Sequence, residues 1–165
     1  MTKEKAVDGF IKSFEKMNRA VIRGIKAPHK PLLLLAVLHL VQRRVITCNH
    51  IVLSDELICE FKSLWMQYVG DTDENASVQV AEGLTLDLVS RYPFKCSIVN
   101  PFYHLQHEPF WRLVKSADFV ERKEYTSIKM LRTCFAYAEI DEELFLQMID
   151  EEAGAVMADH IHNML

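Results

Sequence analysis

A chain of 165 residues, half of them hydrophobic and a quarter charged, has the size and composition of one globular domain spanning residues 1–165, and it can bury enough surface to fold without a disulfide or structural metal. Its four cysteines form no CxxC pair, which argues against a zinc ribbon or a redox motif and predicts reduced, buried or half-buried thiols in a cytoplasmic protein. The net charge of −4 conceals a split: residues 1–44 carry ten basic side chains against three acids, and residues 139–165 carry eight acids with no lysine or arginine, so an anion-binding face is compatible with an acidic chain.

At the N-terminus "MTKEKAVDGF" lacks an apolar core after its charges, so no signal peptide is expected. Val7, Phe10, Ile11, Phe14, Met17 and Val21 keep helical spacing and predict an amphipathic helix. Lys12, Lys16 and Arg19 fall on or near its wet side, and Gly24 is its expected stop. Pro31 suits the first turn of a second helix, where a missing N–H costs nothing. Residues 32–41 are apolar apart from His39, which predicts a central helix buried all round. At about half the length a bilayer span requires, this run does not predict a membrane helix. Arg43 and Arg44 suit its C-terminus.

The stretch "VITCNHIVL" predicts a short strand or extended connection. Ser54 is the expected N-cap of a third helix over 55–69. Residues 70–77 read as a loop, and 78–91 as weakly helical. Residues 95–115 read as two short strands around a turn at "QHEP", a β-hairpin. Helices are expected over 128–137, 141–149 and 152–164. The fold class is therefore mainly α (α+β): a compact helical domain with a central buried helix and one short β-hairpin.

Two places carry chemistry. His29, Lys30 and Pro31 open the greasiest helix, whose N-terminus offers unpaired N–H groups and positive potential to a phosphate. Lys30 adds a full charge there, and His29 a ring that can donate in either protonation state. The second place is "NPFYHLQHEPFWRL", where rings cluster with His104, His107 and Arg112. Most of these rings suit core packing, while Asn100–Pro101 suits an exposed contact. The pairs His104/His107 and His160/His162 lack further ligands at zinc-site spacing, so no metal and no cofactor are expected. Cys59 and Cys134 show no nucleophile signature, and no nucleophile elbow, Walker loop or dinucleotide fingerprint is present.

Three stretches, "APHKPLLLLAVLHLV", "NPFYHLQHEPFWRLV" and "LRTCFAYAEIDEELFLQMIDEEAGAVMADHI", occur in the order and style of the DNA sulfur-binding domains. Those modules are found in type IV restriction endonucleases, usually ahead of an HNH nuclease. The resemblance runs from about residue 10 to the end. It implies a mainly helical, non-catalytic module that binds duplex DNA with a phosphorothioate backbone. Carried over residue by residue, it implies a sulfur cavity at Asn100, Pro101, Phe102 and His104, with Pro101 as the cavity ring. It implies phosphate contacts at His29 and Lys30, with Arg132 matching a further DNA-contacting arginine. Asn100 is a departure: the family places an aromatic residue, usually tyrosine, before the cavity proline. Tyr92–Pro93 is a second pair of that kind, followed by sequence that fits the motif less well.

Two rival readings follow from the residues. "CNH" at 48–50 and "HIHN" at 160–163 are scraps of an HNH pattern, as a metal-dependent nuclease would need. The acidic C-terminal helices could instead dock a basic protein partner.

Overall fold

The structure, a computed structural model, describes residues 3–70 and 92–165. Helix α2 (His29–Gln42) is its centre. Leu32, Leu33, Leu34, Ala36, Val37 and Leu38 have no exposed surface. A helix apolar on every face must be enclosed on every face. Helix α1 (Lys3–Glu15) packs on the two C-terminal helices, and α2 packs on α3 (Asp55–Tyr68), α4 (Val99–His104), α6 (Glu142–Ile149) and α7 (Glu151–Asn163). His39 is the polar residue within this apolar run, and its Nδ1 lies 2.9 Å from Glu60 Oε1 on α3. Arg43 Nη1 donates to the other Glu60 oxygen at 3.0 Å. Beyond the helix Arg44 turns left-handed, with φ of 63°, and the N–H groups of Val45 and Ile46 return to the Leu40 carbonyl.

The helix starts follow local chemistry. Ser54 caps α3 by accepting from the Leu57 N–H at 3.2 Å, as expected. Ser127 does the same for α5 (Ile128–Cys134), Asp141 for α6 and Asp150 for α7. Two of the C-terminal acids are thus helix caps. The last two helices lie within a residue of the expected 141–149 and 152–164.

Three expected elements are corrected. The first helix ends at Glu15 rather than near Gly24. Its place is taken by a hairpin of β1 (Val21–Ile22) and β2 (Ile25–Lys26), turned by Arg23 at φ 52° and Gly24 at φ 78°. Positive φ at both central residues matches the twist of a two-residue hairpin, and glycine supplies it without strain. Val21, counted above in the apolar stripe, is 57% exposed.

The expected hairpin over 95–115 is instead α4, a 3-10 turn at Leu105–His107 and a single strand β4 (Trp111–Lys115). Pro101 is the third residue of α4, in the first turn, where proline is tolerated. Strand alternation would have put Phe102 and His104 on one face; the helix buries Phe102 and leaves His104 exposed. Finally, the helix expected over 128–137 stops at Cys134 and becomes strand β5 (Phe135–Ile140). β5 is the middle of an antiparallel sheet, between β3 (His50–Ile51) and β4. Ala138 pairs with Ile51 on one side and Leu113 on the other.

The expected class holds: the fold is mainly helical α+β around a buried central helix, with its hairpin at 21–26. None of the four cysteines is in a disulfide; Cys134 is buried and Cys96 half-buried, but Cys48 and Cys59 are exposed, against expectation. Among the described residues, no helix is long and apolar enough to cross a membrane. The expected loop beyond Gly70 and the segment 78–91 lie outside the described residues.

Candidate nucleic-acid interface

The start of α2 and the first turn of α4 open on one cleft of about 400 Å³. His29 and Lys30 line it from α2, Asn100, Pro101 and His104 from α4, and Asn18 and Arg19 from the segment after α1. Residues some seventy positions apart in sequence meet there because α4 packs against α2. Pro31 and Pro101 each occupy the third position of their helix, so both cleft walls are helix first turns of fixed backbone angle.

Each cleft side chain has a defined state. The His29 ring lies 4.9 Å from the Trp65 ring and 5.7 Å from that of Phe94. Its Nε2 is 2.7 Å from the Lys95 carbonyl, which can only accept, so Nε2 carries a hydrogen and donates it. Burial pushes the His29 pKa down, against the pull of that bond. In the neutral ring Nδ1 is then left as an acceptor, so donation from Nδ1 requires the protonated ring.

Lys30 Nζ donates to the Asn18 carbonyl at 2.7 Å and lies 3.6 Å from Glu108 Oε1. The His104 and His107 rings stack at 5.6 Å, with Nδ1 of the first 3.5 Å from Nε2 of the second. Burial lowers the His104 pKa, and the neighbouring His107 and Lys30 charges lower it further. Pro101 is buried but reaches the cleft wall.

Two candidates lie elsewhere. Phe102 is 1% exposed and packs edge-on against Trp111 at 5.4 Å, and Trp111 Nε1 donates to the Phe102 carbonyl at 3.0 Å. It borders a second cleft, of about 330 Å³, together with Arg132. Arg132 Nε donates to the Leu53 carbonyl and Nη2 to Asp55 Oδ1, both at 2.8 Å. The sulfur-cavity and arginine candidates are thus divided between two clefts. A third, of about 520 Å³ between the end of α2 and the last two helices, contains no candidate residue.

Sequence reasoning missed Arg19 as a cleft residue. The basic excess of residues 1–44 was the available signal, but the helix pattern placed Arg19 on a solvated face. Among the described residues, no group of three or more His, Cys, Asp or Glu side chains is positioned to hold a metal.

No family model matches the chain. No curated protein matches it either. Among solved structures, the fold resembles that of a sulfur-binding domain. The structure in question is the sulfur binding domain of ScoMcrA complexed with phosphorothioated DNA, which is 15% identical, with a TM-score of 0.54 over 94% of this chain and 89% of that chain. At this identity the likeness shows a shared fold.

Proposed function

We propose that the chain, as a single module over residues 1–165, binds duplex DNA and recognises a phosphorothioate in its backbone. The observation that carries this reading is the single cleft joining the His29–Lys30 helix start to the Asn100–Pro101 turn. The shared fold with a domain complexed with phosphorothioated DNA supports it.

The chemistry is a division of labour. Sulfur in place of a non-bridging oxygen keeps the phosphate charge but is larger, softer and less hydrated. Against the Pro101 ring an oxygen loses its hydration without a partner, at a cost of about 1–3 kcal/mol, whereas sulfur loses little. Asn100 and His104 flank that ring in this reading, and Phe102 supports it from the core side. His29 and Lys30 hold the phosphate, supplying affinity and salt dependence. Arg132, in the second cleft, contacts a more distant phosphate by exchanging Asp55 for it. The module itself is non-catalytic and works in a cytoplasmic restriction or defence context, beside an HNH nuclease domain or partner.

The test is fluorescence anisotropy with a phosphorothioate duplex and its unmodified twin. The reading expects tighter binding of the modified duplex by about tenfold or more, from the hydration cost above. Equal affinities remove the sulfur claim, and binding to neither removes the DNA claim.

A further inference from the structure

The charge balance of the cleft is not that of the residues named so far. Glu108 stands behind Lys30, and the two side chains are 13% and 11% exposed, so their charges largely cancel at the cleft edge. The His29 and His104 rings are both disfavoured as cations by their surroundings. Arg19 is different. Its Nε donates to the Ala27 carbonyl at 2.8 Å, and Nη1 and Nη2 both point to the Met164 carbonyl at 3.4 Å. These acceptors are neutral, and no carboxylate among the described residues lies within ion-pair distance of this guanidinium. The two longer contacts exceed the ordinary N–H···O range, and a guanidinium has five N–H donors, so donor capacity is left for a ligand.

A half-buried cation without a counter-charge is costly unless an anion arrives to complete it. Arg19 borders the same cleft as Pro101 and His29. Its planar fork matches two non-bridging atoms of a phosphate diester, whether two oxygens or one oxygen and one sulfur. We propose that Arg19 is the main phosphate-holding cation of this cleft, and that Glu108 keeps the Lys30 charge cancelled until a ligand competes for it. This rests on the DNA-binding reading above and adds to it the residue that meets the charge.

The experiment measures binding of the full chain to a phosphorothioate duplex across a salt series, for wild type, Arg19→Gln, Arg19→Lys and Lys30→Gln. Arg19→Gln should weaken binding by about tenfold or more, as expected for a lost charge-assisted pair, and should reduce the salt slope by about one. Arg19→Lys, which keeps the charge and loses the fork, should fall between and keep the slope. Lys30→Gln should cost less than Arg19→Gln. If Arg19 only braces Ala27 and Met164, melting temperatures fall in both Arg19 variants while the slope stays at its wild-type value. That result overturns the assignment, as does loss of binding in Lys30→Gln alone.

Titration of wild type with dimethyl phosphorothioate, followed through the Arg19 Nε–H resonance, tests the assignment without DNA or a variant. Movement of that signal in a chain that binds no duplex would keep the anion site and remove the DNA reading. A silent signal together with no duplex binding overturns both.

Discussion

Lys30 Nζ lies 3.6 Å from Glu108 Oε1, and that same carboxylate oxygen accepts the Asn18 backbone N–H at 3.1 Å. One carboxylate thus fixes the end of the α1 segment and restrains the cation at the start of α2. Replacing it with an amide should separate two properties that usually move together. Glu108→Gln should lower the melting temperature, because a largely desolvated lysine loses its counter-charge. It should also tighten duplex binding, by about three- to tenfold, because Lys30 then meets phosphate without a competitor. Thermal unfolding and anisotropy on the same preparation check both signs.

Pro101 should govern discrimination rather than affinity for DNA in general. Pro101→Ala should bring the affinities for modified and unmodified duplexes together, within a factor of about two to three, by removing the apolar ring that penalises oxygen. Lys30→Ala should weaken both duplexes alike, since a phosphate contact carries no information about sulfur. The pair of ratios, measured at one salt concentration, distinguishes the two roles.

Phe102 should report on the fold. Its ring is 1% exposed against Trp111, and its carbonyl receives the buried indole N–H. Phe102→Ala should cost about 3–5 kcal/mol in urea unfolding through the cavity it leaves. Phe102→Leu should cost less and retain duplex binding. A Phe102→Leu variant that folds normally but loses sulfur discrimination would instead make the ring part of the recognition surface.

Acid should act on stability and binding with opposite signs. The His29 pKa is lowered mainly by burial, and that of His104 by burial and by the nearby His107 and Lys30 charges. A folded pKa below the unfolded value of about 6.5 means that the unfolded chain binds more protons between the two. The contribution is fully present above about pH 6.5 and is lost as pH falls through the folded values. A bound phosphate favours the protonated rings, so duplex affinity should rise from pH 8 to 6 while the melting temperature of the free chain falls. His29→Gln and His104→Gln should each flatten both trends.

The central helix was legible because nine apolar residues and one histidine in ten positions leave no solvated face. The Ser54 cap was legible for a local reason: its hydroxyl accepts an N–H three residues away. Local signals were also misread. Pro31 sits in a first helical turn as expected, whereas Pro101, expected at the start of a hairpin, occupies the same third position of a helix. The apolar stripe of α1 was extended past Glu15 to Val21, which instead begins a hairpin turned at the left-handed Arg23–Gly24 pair. The strand at 135–140 was not readable locally. Its alanines and glutamate favour helix, and it is a strand because His50–Ile51 and Trp111–Lys115 flank it, a non-local fact. The same limit applies to the cleft. His29, Lys30 and Pro101 were recognisable singly, but Glu108 beside Lys30 and Arg19 beside Ala27 exist only once distant segments pack.

The most direct test of the whole account is the affinity ratio for two duplexes that differ by one sulfur atom, measured by anisotropy at fixed salt. The account predicts a wild-type preference for the phosphorothioate duplex of about tenfold or more, falling toward unity in Pro101→Ala. Equal wild-type affinities, or a preference that survives Pro101→Ala unchanged, would contradict it.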